Sequence, residues 1–307
     1  MIEQLSKQDK LEMIERWVKQ MCENVDYWDW DGKELVIVSG EEISRYTWYD
    51  IFDDERMLPE INITYKNNAL AFLNSLPDDS VDLILTDPAY DSLNKWLGIG
   101  TTARMGMGRS GSGSDDRSKF FETISDEDLP DLIQEIYRVL KPERHCYIFC
   151  DWPTLLLVHR YAIVEGVFPT VKVNGVLTEP LKPLVWDKVA IGMGYTYRSQ
   201  YEFVAFLWKG KKRKLNDLSV SDVLPFKRVP PSKASVPTQK PDELFELLVR
   251  QSTRDGELVV DPFMGSGTTA RACNKLNRDW LGCDVDKRHV GFSNDFAHNG
   301  DKQLGLF

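Results

Sequence analysis

The sequence predicts an α/β fold, a doubly wound and mostly parallel sheet covered by helices on both faces. Short apolar runs of the kind buried in parallel sheets recur at residues 81–86, 146–150, 202–208, 258–260 and 280–283. Stretches with helical periodicity separate them, and the run at 258–260 feeds a glycine loop and then a helix. Strands that alternate with helices in this way need crossovers, which lay helices over both sides of a parallel sheet. The first helix is expected over residues 5–21, where Leu11, Ile14, Val18 and Met21 fall on one face. A short strand is expected at 35–38, inside a polar segment rich in Trp and Tyr. Ser125 begins a second helix faced by Leu129, Ile133, Ile136 and Leu140. A linker with Pro225, Pro230, Pro231 and Pro237 leads to a third helix over 242–250, faced by Leu244, Leu247 and Leu248.

The chain has 307 residues, 42% of them hydrophobic, enough for one large catalytic-sized domain with elaborations. We divide it into an acidic N-terminal extension (1–60), a main domain (61–298) and a C-terminal tail (299–307). No apolar run approaches the length of a membrane span, and the polar start Met1-Ile2-Glu3-Gln4 is unlike a signal peptide. The five cysteines form no Cys-x-x-Cys pair and read as reduced thiols, so a cytoplasmic protein of bacterial or phage type, with no metal, is expected. The net charge of −10 is unevenly placed: residues 1–60 hold 16 acids and 7 bases, a net of −9. Residues 209–240 carry 9 bases against 2 acids, so the overall acidity does not exclude nucleic acid as a partner.

The loop Asp261-Pro262-Phe263-Met264-Gly265-Ser266-Gly267-Thr268-Thr269 carries the first chemical signal. Glycines between a strand and a helix let a ligand approach the backbone and aim amide N–H groups at it. Asp284 closes the next strand, near the spacing at which an acid holds ribose hydroxyls in dinucleotide folds. Nicotinamide dinucleotide binding therefore competes as an explanation, although Ala270 stands where its third glycine would be. The second signal is Asp87-Pro88-Ala89-Tyr90, directly after the strand at 81–86, at a carboxyl end where open α/β sheets bind ligands. An aromatic amine is a poor nucleophile because its lone pair is delocalised into the ring. Hydrogen bonds from the amine to the Asp87 carboxylate and the Pro88 carbonyl would favour the pyramidal form that attacks a methyl sulfonium. Tyr90 would stack on a base flipped out of a duplex.

Together these stretches resemble the DNA N6-adenine/N4-cytosine methyltransferase family in its beta arrangement, where the catalytic tetrapeptide precedes the cofactor loop. The resemblance runs from about Asn67 to Val290. It is carried by Leu76-Pro77-Asp78-Asp79-Ser80-Val81-Asp82-Leu83-Ile84-Leu85-Thr86-Asp87-Pro88, Arg138-Val139-Leu140-Lys141-Pro142, and Trp186-Asp187-Lys188. Further matches are Tyr197-Arg198-Ser199-Gln200-Tyr201-Glu202, Pro237-Thr238-Gln239-Lys240-Pro241 and the loop from Asp261 to Thr269. It implies a Rossmann-like S-adenosylmethionine-dependent methyltransferase fold with permuted motif order, acting on double-stranded DNA. By the same resemblance Asp87, Pro88 and Tyr90 are catalytic. Asp87, Asp261, Phe263, Gly265, Ser266, Gly267 and Thr268 line S-adenosylmethionine, Asp284 holds its ribose, and Thr238 and Lys240 lie near its carboxylate.

Two departures from the family stand out. Ala89 replaces a second proline, and the acid expected to meet the cofactor's adenine amine falls at Asn68, a weaker acceptor. Asp as the first residue of the tetrapeptide leans toward adenine N6 within the family, and Ser toward cytosine N4. RNA and protein-glutamine methyltransferases place the cofactor loop first, whereas here Asp87 precedes Gly265. Methylation of cytosine C5 needs a Pro-Cys pair, which is absent. A non-catalytic DNA-binding module would need neither Asp87 nor an intact glycine loop.

DNA contacts are expected from Lys211, Lys212 and Arg213 in the basic segment at 209–236, the usual place for target recognition. Arg104 and Arg109, in the Gly-rich connector at 93–118, are a second source of contacts. The acidic N-terminal extension suits a structural or subunit-contact role, as in a homodimer. The terminal Gln303-Leu304-Gly305-Leu306-Phe307 resembles the short Gln-Leu-x-Leu-Phe peptide that docks bacterial replication and repair proteins on the DNA sliding clamp. That implies a clamp contact through Gln303, Leu304, Leu306 and Phe307; folding back of the tail onto its own domain is the alternative.

Overall fold

The computed structural model describes residues 11, 14–15, 18, 27–30, 34–39, 42–47, 58–88, 125, 127–173, 175–192, 195–230, 232, 234 and 239–299. The chain forms two compact units, Met1–Met57 and Leu58–Phe307. In the first, Leu11, Ile14, Glu15 and Val18 are helical. Strands β1 (Tyr27–Trp30), β2 (Glu34–Ser39) and β3 (Glu42–Thr47) make an antiparallel meander with Trp30, Leu35 and Ile37 buried. Only the strand over 35–38 was expected from the sequence.

The second unit holds β4 (Ile63–Lys66), α1 (Ala69–Asn74), β5 (Val81–Thr86), α2 (Leu129–Val139) and β6 (Leu140–Cys150). There follow α3 (Trp152–His159), a π-helical turn (Arg160–Val164), the hairpin β7 (Val171–Val173) and β8 (Val176–Thr178), β9 (Leu181–Asp187), β10 (Tyr201–Trp208) and β11 (Val223–Pro225). The unit ends with α4 (Asp242–Ser252), β12 (Leu258–Asp261), α5 (Thr268–Lys275), β13 (Asp279–Asp284) and α6 (Lys287–Asn299). Eight strands form one sheet in the order β11-β9-β10-β6-β5-β12-β13-β4. Every neighbouring pair is parallel except β10 with β6 and β10 with β9, so β10 alone runs backwards.

Alternation along the strands divides the core into two layers. Ile84, Ile148 and Val260 face α1, α2 and α3, together with Phe72, Ile136 and Val158. Leu83, Leu85, Phe149, Val259 and Trp280 face α4 and α5, together with Leu244, Phe245 and Ala270. The sequence placed Leu140 on the face of α2, but the helix stops at Val139 and Leu140 takes an extended conformation that opens β6. The residue is buried all the same, because Pro142 excludes another helical turn and an apolar side chain at that point serves either layer.

A group of charges closes the amino edge of the sheet. The buried Asp82 carboxylate accepts Lys141 Nζ at 2.8 Å and the Leu258 backbone N–H at 3.1 Å, and it forms an ion pair with Arg144 Nη2 at 2.9 Å. Arg144 also reaches Glu257 at 2.9 Å. These contacts tie the first residues of β5, β6 and β12 together. Asp82→Ala leaves the Lys141 ammonium and the Leu258 amide without their acceptor and Arg144 with Glu257 alone, and it should destabilise the fold by about 2–3 kcal/mol. That is less than for a fully buried pair, because Lys141 and Arg144 keep contact with water. Asp78→Ala, at the exposed end of an ion pair with Arg138, should cost below about 1 kcal/mol. Urea unfolding midpoints of the two variants compare these directly.

Candidate functional site

The carboxyl ends of the parallel strands deliver the candidate residues to one edge of the sheet. From β5 the chain moves outward to β6, and from β12 it moves the other way to β13, so a crevice opens between β5 and β12. Such a switch point is where doubly wound sheets bind ligands. Asp87 and Pro88 follow β5, the glycine loop follows β12, Asp284 ends β13, and Asn67 and Asn68 follow β4. Because β10 is reversed, its first residues, Tyr201 and Glu202, arrive at this same edge.

Asp261 lies beneath the loop. It is buried, and it accepts hydrogen bonds from Thr86 Oγ1 (2.8 Å), the Phe263 N–H (3.0 Å) and Thr269 Oγ1 (2.5 Å). Burial pushes its carboxyl up to about 7 against the pull of these donors. The sequence reading had Asp261 lining the cofactor; the structure places it as the support of the loop, joining the end of β5 to the start of α5. Ser266 and Thr268 are buried as well, and Arg271 donates to the Ser266 carbonyl (2.7 Å) and to Thr268 Oγ1 (3.1 Å) while pairing with Asp242 (2.7 Å).

The two loop glycines do different work. At Gly265, with φ +53°, a Cβ would meet only the Phe263 carbonyl, at 3.9 Å, so the space above it is open to a ligand. At Gly267, with φ +78°, a Cβ would come within 2.9 Å of the Ser293 backbone in α6. Gly267 therefore permits the close packing of α6. Asp284 accepts the Gly265 N–H (2.9 Å) and the Asp286 N–H (2.8 Å), with His289 Nδ1 at 3.2 Å, and that contact raises the His289 pKa. Asn68 caps α1, its side-chain oxygen accepting the Leu70 N–H at 2.9 Å. The oxygen expected to receive the cofactor's amine is thus already engaged, and the free amide group is a donor.

Around Asp87 the structure assembles side chains that the sequence reading did not combine. Lys240, expected near a cofactor carboxylate, turns its ammonium onto Asp87 Oδ2 and lies 3.4 Å from Glu202 Oε2, with its side chain only 9% exposed. Lys188 Nζ binds Glu202 Oε1 at 2.6 Å. The Lys240 ammonium also sits 5.4 Å from the Phe149 ring and 5.8 Å from the Trp186 ring. Burial pushes Asp87 up, Lys240 pulls it back, and the balance leaves it above the usual carboxylate range. For Glu202, burial acts the same way but Lys240 and Lys188 outweigh it and hold the carboxyl low. Glu202 and Lys188 stood in the matched stretches; only the pairing of β9 with β10 brings them to Asp87.

The basic segment with Lys211, Lys212 and Arg213, from which DNA contacts were expected, lies at the opposite edge of the sheet from Asp87. The segment leaves β10 at the amino edge, where Trp208 lies six residues and so roughly 20 Å from Glu202. There Lys209 binds Asp79 (2.7 Å) and the Tyr137 carbonyl (2.8 Å), Lys212 lies 4.3 Å from the Trp208 ring, and Arg213 is 3.7 Å from Glu257. These cations brace the far side of the sheet. Ala89, Tyr90, Arg104, Arg109, Thr238 and the tail residues Gln303, Leu304, Leu306 and Phe307 lie outside the described residues. Among the described residues no group of His, Cys, Asp and Glu could hold a metal ion, and no helix is long and apolar enough to cross a membrane.

A glycine loop and an Asp-Pro turn set side by side at the switch point of a doubly wound sheet define a cofactor-dependent group-transfer enzyme of the Rossmann-like class. The chain belongs to the DNA methylase family of N6 and N4 methyltransferases, whose sequence profile matches residues 81–295, more than half of its length. It is 26% identical over 235 residues to the type II methyltransferase M.HhaII of Haemophilus parahaemolyticus, covering 76% of this chain and 96% of that one. It is also 26% identical over 251 residues to the DNA adenine methyltransferase YhdJ of Escherichia coli K12, covering 73% and 78%. Two solved structures share the fold. The M1.HpyAVI–SAM complex has a TM-score of 0.52 at 21% identity, covering 76% of this chain and 97% of that one. The cytosine-N4-specific PvuII DNA methyltransferase has a TM-score of 0.54 at 14% identity, covering 79% and 90%.

The buried Asp261 gives the fold a measurable pH dependence. A carboxyl raised from 3.8 to about 7 on folding binds its proton more tightly in the native state. The stability it adds is complete below the unfolded pKa and is lost as pH rises through 7. Asp261→Asn should flatten the decline of stability between about pH 4 and 7, read as the slope of unfolding free energy against pH.

Proposed function

We propose that the protein transfers a methyl group from S-adenosylmethionine to the exocyclic N6 of adenine in double-stranded DNA. The observation that carries this is the Asp87-Pro88 turn at the end of β5, beside the open face of Gly265, with Lys240 holding one carboxylate oxygen. The residues fit the cofactor: Gly265 offers open space at the start of α5, and Asp284 stands at the end of the next strand to take ribose hydroxyls. When bound, the cofactor supplies an electrophilic methyl group on a positively charged sulfur.

The chain's own part is to present the amine. The Asp87 carboxylate and the Pro88 carbonyl accept its two N–H bonds and bring the nitrogen lone pair out of the ring's π system. As the nitrogen forms its bond to the methyl carbon, the positive charge that develops on it is offset by Asp87, an electrostatic effect made strong by burial. The electron pair of the broken bond would stay with the departing cofactor, and the amine would later release one proton. Tyr90 stacks on the base, which leaves the duplex to reach the crevice. The DNA meets the carboxyl edge, where the loop between β9 and β10 holds Tyr195 and Tyr197 fully exposed.

Asp87→Ala should lower turnover by about 10²–10³-fold or more while the cofactor dissociation constant stays near that of the parent; turnover at the parental rate would overturn the assignment. Asp284→Ala should weaken S-adenosylmethionine binding by about 1.5–3 kcal/mol, the scale of a lost hydrogen bond to a charged group, measured by calorimetry. Digestion of DNA methylated with labelled cofactor names the product: N6-methyladenine is expected, and N4-methylcytosine would reassign the base.

A further inference from the structure

Asp87 has two carboxylate oxygens, and the reaction needs one of them free and aimed at the crevice. Lys240 takes Oδ2, and three neighbours limit where its ammonium can sit: Glu202 Oε2 at 3.4 Å and the Phe149 and Trp186 rings. Glu202 in turn is held on its other oxygen by Lys188, and Trp186 is anchored by its Nε1–H to the Phe226 carbonyl at 2.8 Å. The four ionic side chains come from four places: Asp87 after β5, Lys188 after β9, Glu202 at the start of β10 and Lys240 before α4. Their charges cancel, which buried ions require. We propose that Glu202 and Lys188 are positioning residues, which hold the Lys240 ammonium on one oxygen of Asp87 and so leave the other oxygen to the amine being methylated.

Each member acts on Asp87 with a definite sign. Lys240 and Lys188 favour its charged form, and Glu202 disfavours it. Asp261 and the Cys150 thiol also face Asp87; the thiol is pushed up to about 12 by burial, and both groups are common to every variant considered. A protonated Asp87 cannot accept the amine N–H at that oxygen, so the acid limb of the kcat–pH profile reports its ionisation in the ternary complex. Removing Glu202 leaves the positive charges in excess and moves that limb to lower pH. Removing either lysine moves it to higher pH.

The test is the kcat–pH profile of Glu202→Gln, Lys188→Met and Lys240→Met on a duplex substrate, with folding of each variant checked by circular dichroism. Glu202→Gln should shift the acid limb down, and the two lysine variants should shift it up by about one unit or more for Lys240, the scale of a charge within a few ångströms. The S-adenosylmethionine dissociation constant of Glu202→Gln should match the parent's. If Lys240→Met does not fold, the opposite shifts of Glu202→Gln and Lys188→Met carry the test. An acid limb that stays in place in both, or moves the same way in both, overturns the positioning role. This role rests on Asp87 acting at the amine, and Asp87→Asn separates the two failures. If that variant is inactive while the limbs stay fixed, only the positioning role falls; if it keeps full activity, the catalytic assignment falls first.

Discussion

The two halves of the site are held in register by one buried carboxylate, Asp261, which is bonded to Thr86 at the end of β5, to the loop backbone at Phe263 and to Thr269 in the first turn of α5. Thr86 immediately precedes Asp87, so Asp87 and the glycine loop share a single anchor. A short carboxylate with three donors at fixed angles leaves little freedom to either strand. The three donors temper but do not offset its desolvation, and each is supplied by a different part of the crevice wall.

Around that anchor, the reversed strand β10 widens the range of side chains that one edge can gather. A purely parallel sheet would bring only strand ends to the crevice, and β10 adds a strand beginning. Glu202 reaches Lys240 for this reason, and the aromatic rings of Phe149 and Trp186 close the space behind them. Phe149 stacks on Phe245 of α4 at 5.2 Å, so the helix that follows Lys240 is packed on the same ring its ammonium touches. Core packing and site electrostatics are here the same set of contacts.

The other edge of the sheet shows the opposite use of charge. Asp82, Lys141, Arg144, Glu257 and Arg213 are joined by ion pairs, and the basic run that begins at Lys209 contributes Arg213 to this brace. Within that run the fold itself supplies partners for Lys209, Lys212 and Arg213. Lys212 over Trp208 illustrates the point: its stem and ammonium cover an indole ring that would otherwise meet water.

Much of the fold was legible in the residue order, because apolar runs, helical periods and a glycine loop are local features that depend on neighbours along the chain. The strand at 81–86, the loop after β12 and the acid at the end of β13 all lie where periodicity and turn chemistry placed them. The hairpin at Val171–Thr178 and the edge strand Val223–Pro225 carry no such local signature and form against surfaces that exist only once the sheet is assembled. The helix Trp152–His159 does have a local start signal, the Asp151 cap with Pro153 in its first turn, which the sequence reading passed over. The sequence by itself determined which residue types stand at the crevice, since Asp-Pro after a strand and Gly-x-Gly before a helix act through their own backbone. Only the tertiary structure decided that Gly267 serves α6, that Asp261 lies beneath the loop, that Lys240 faces Asp87 and that the cations at 211–213 lie on the far edge. Each of these depends on strand direction and on pairing between residues far apart in the chain, and neither is written in any short stretch of it.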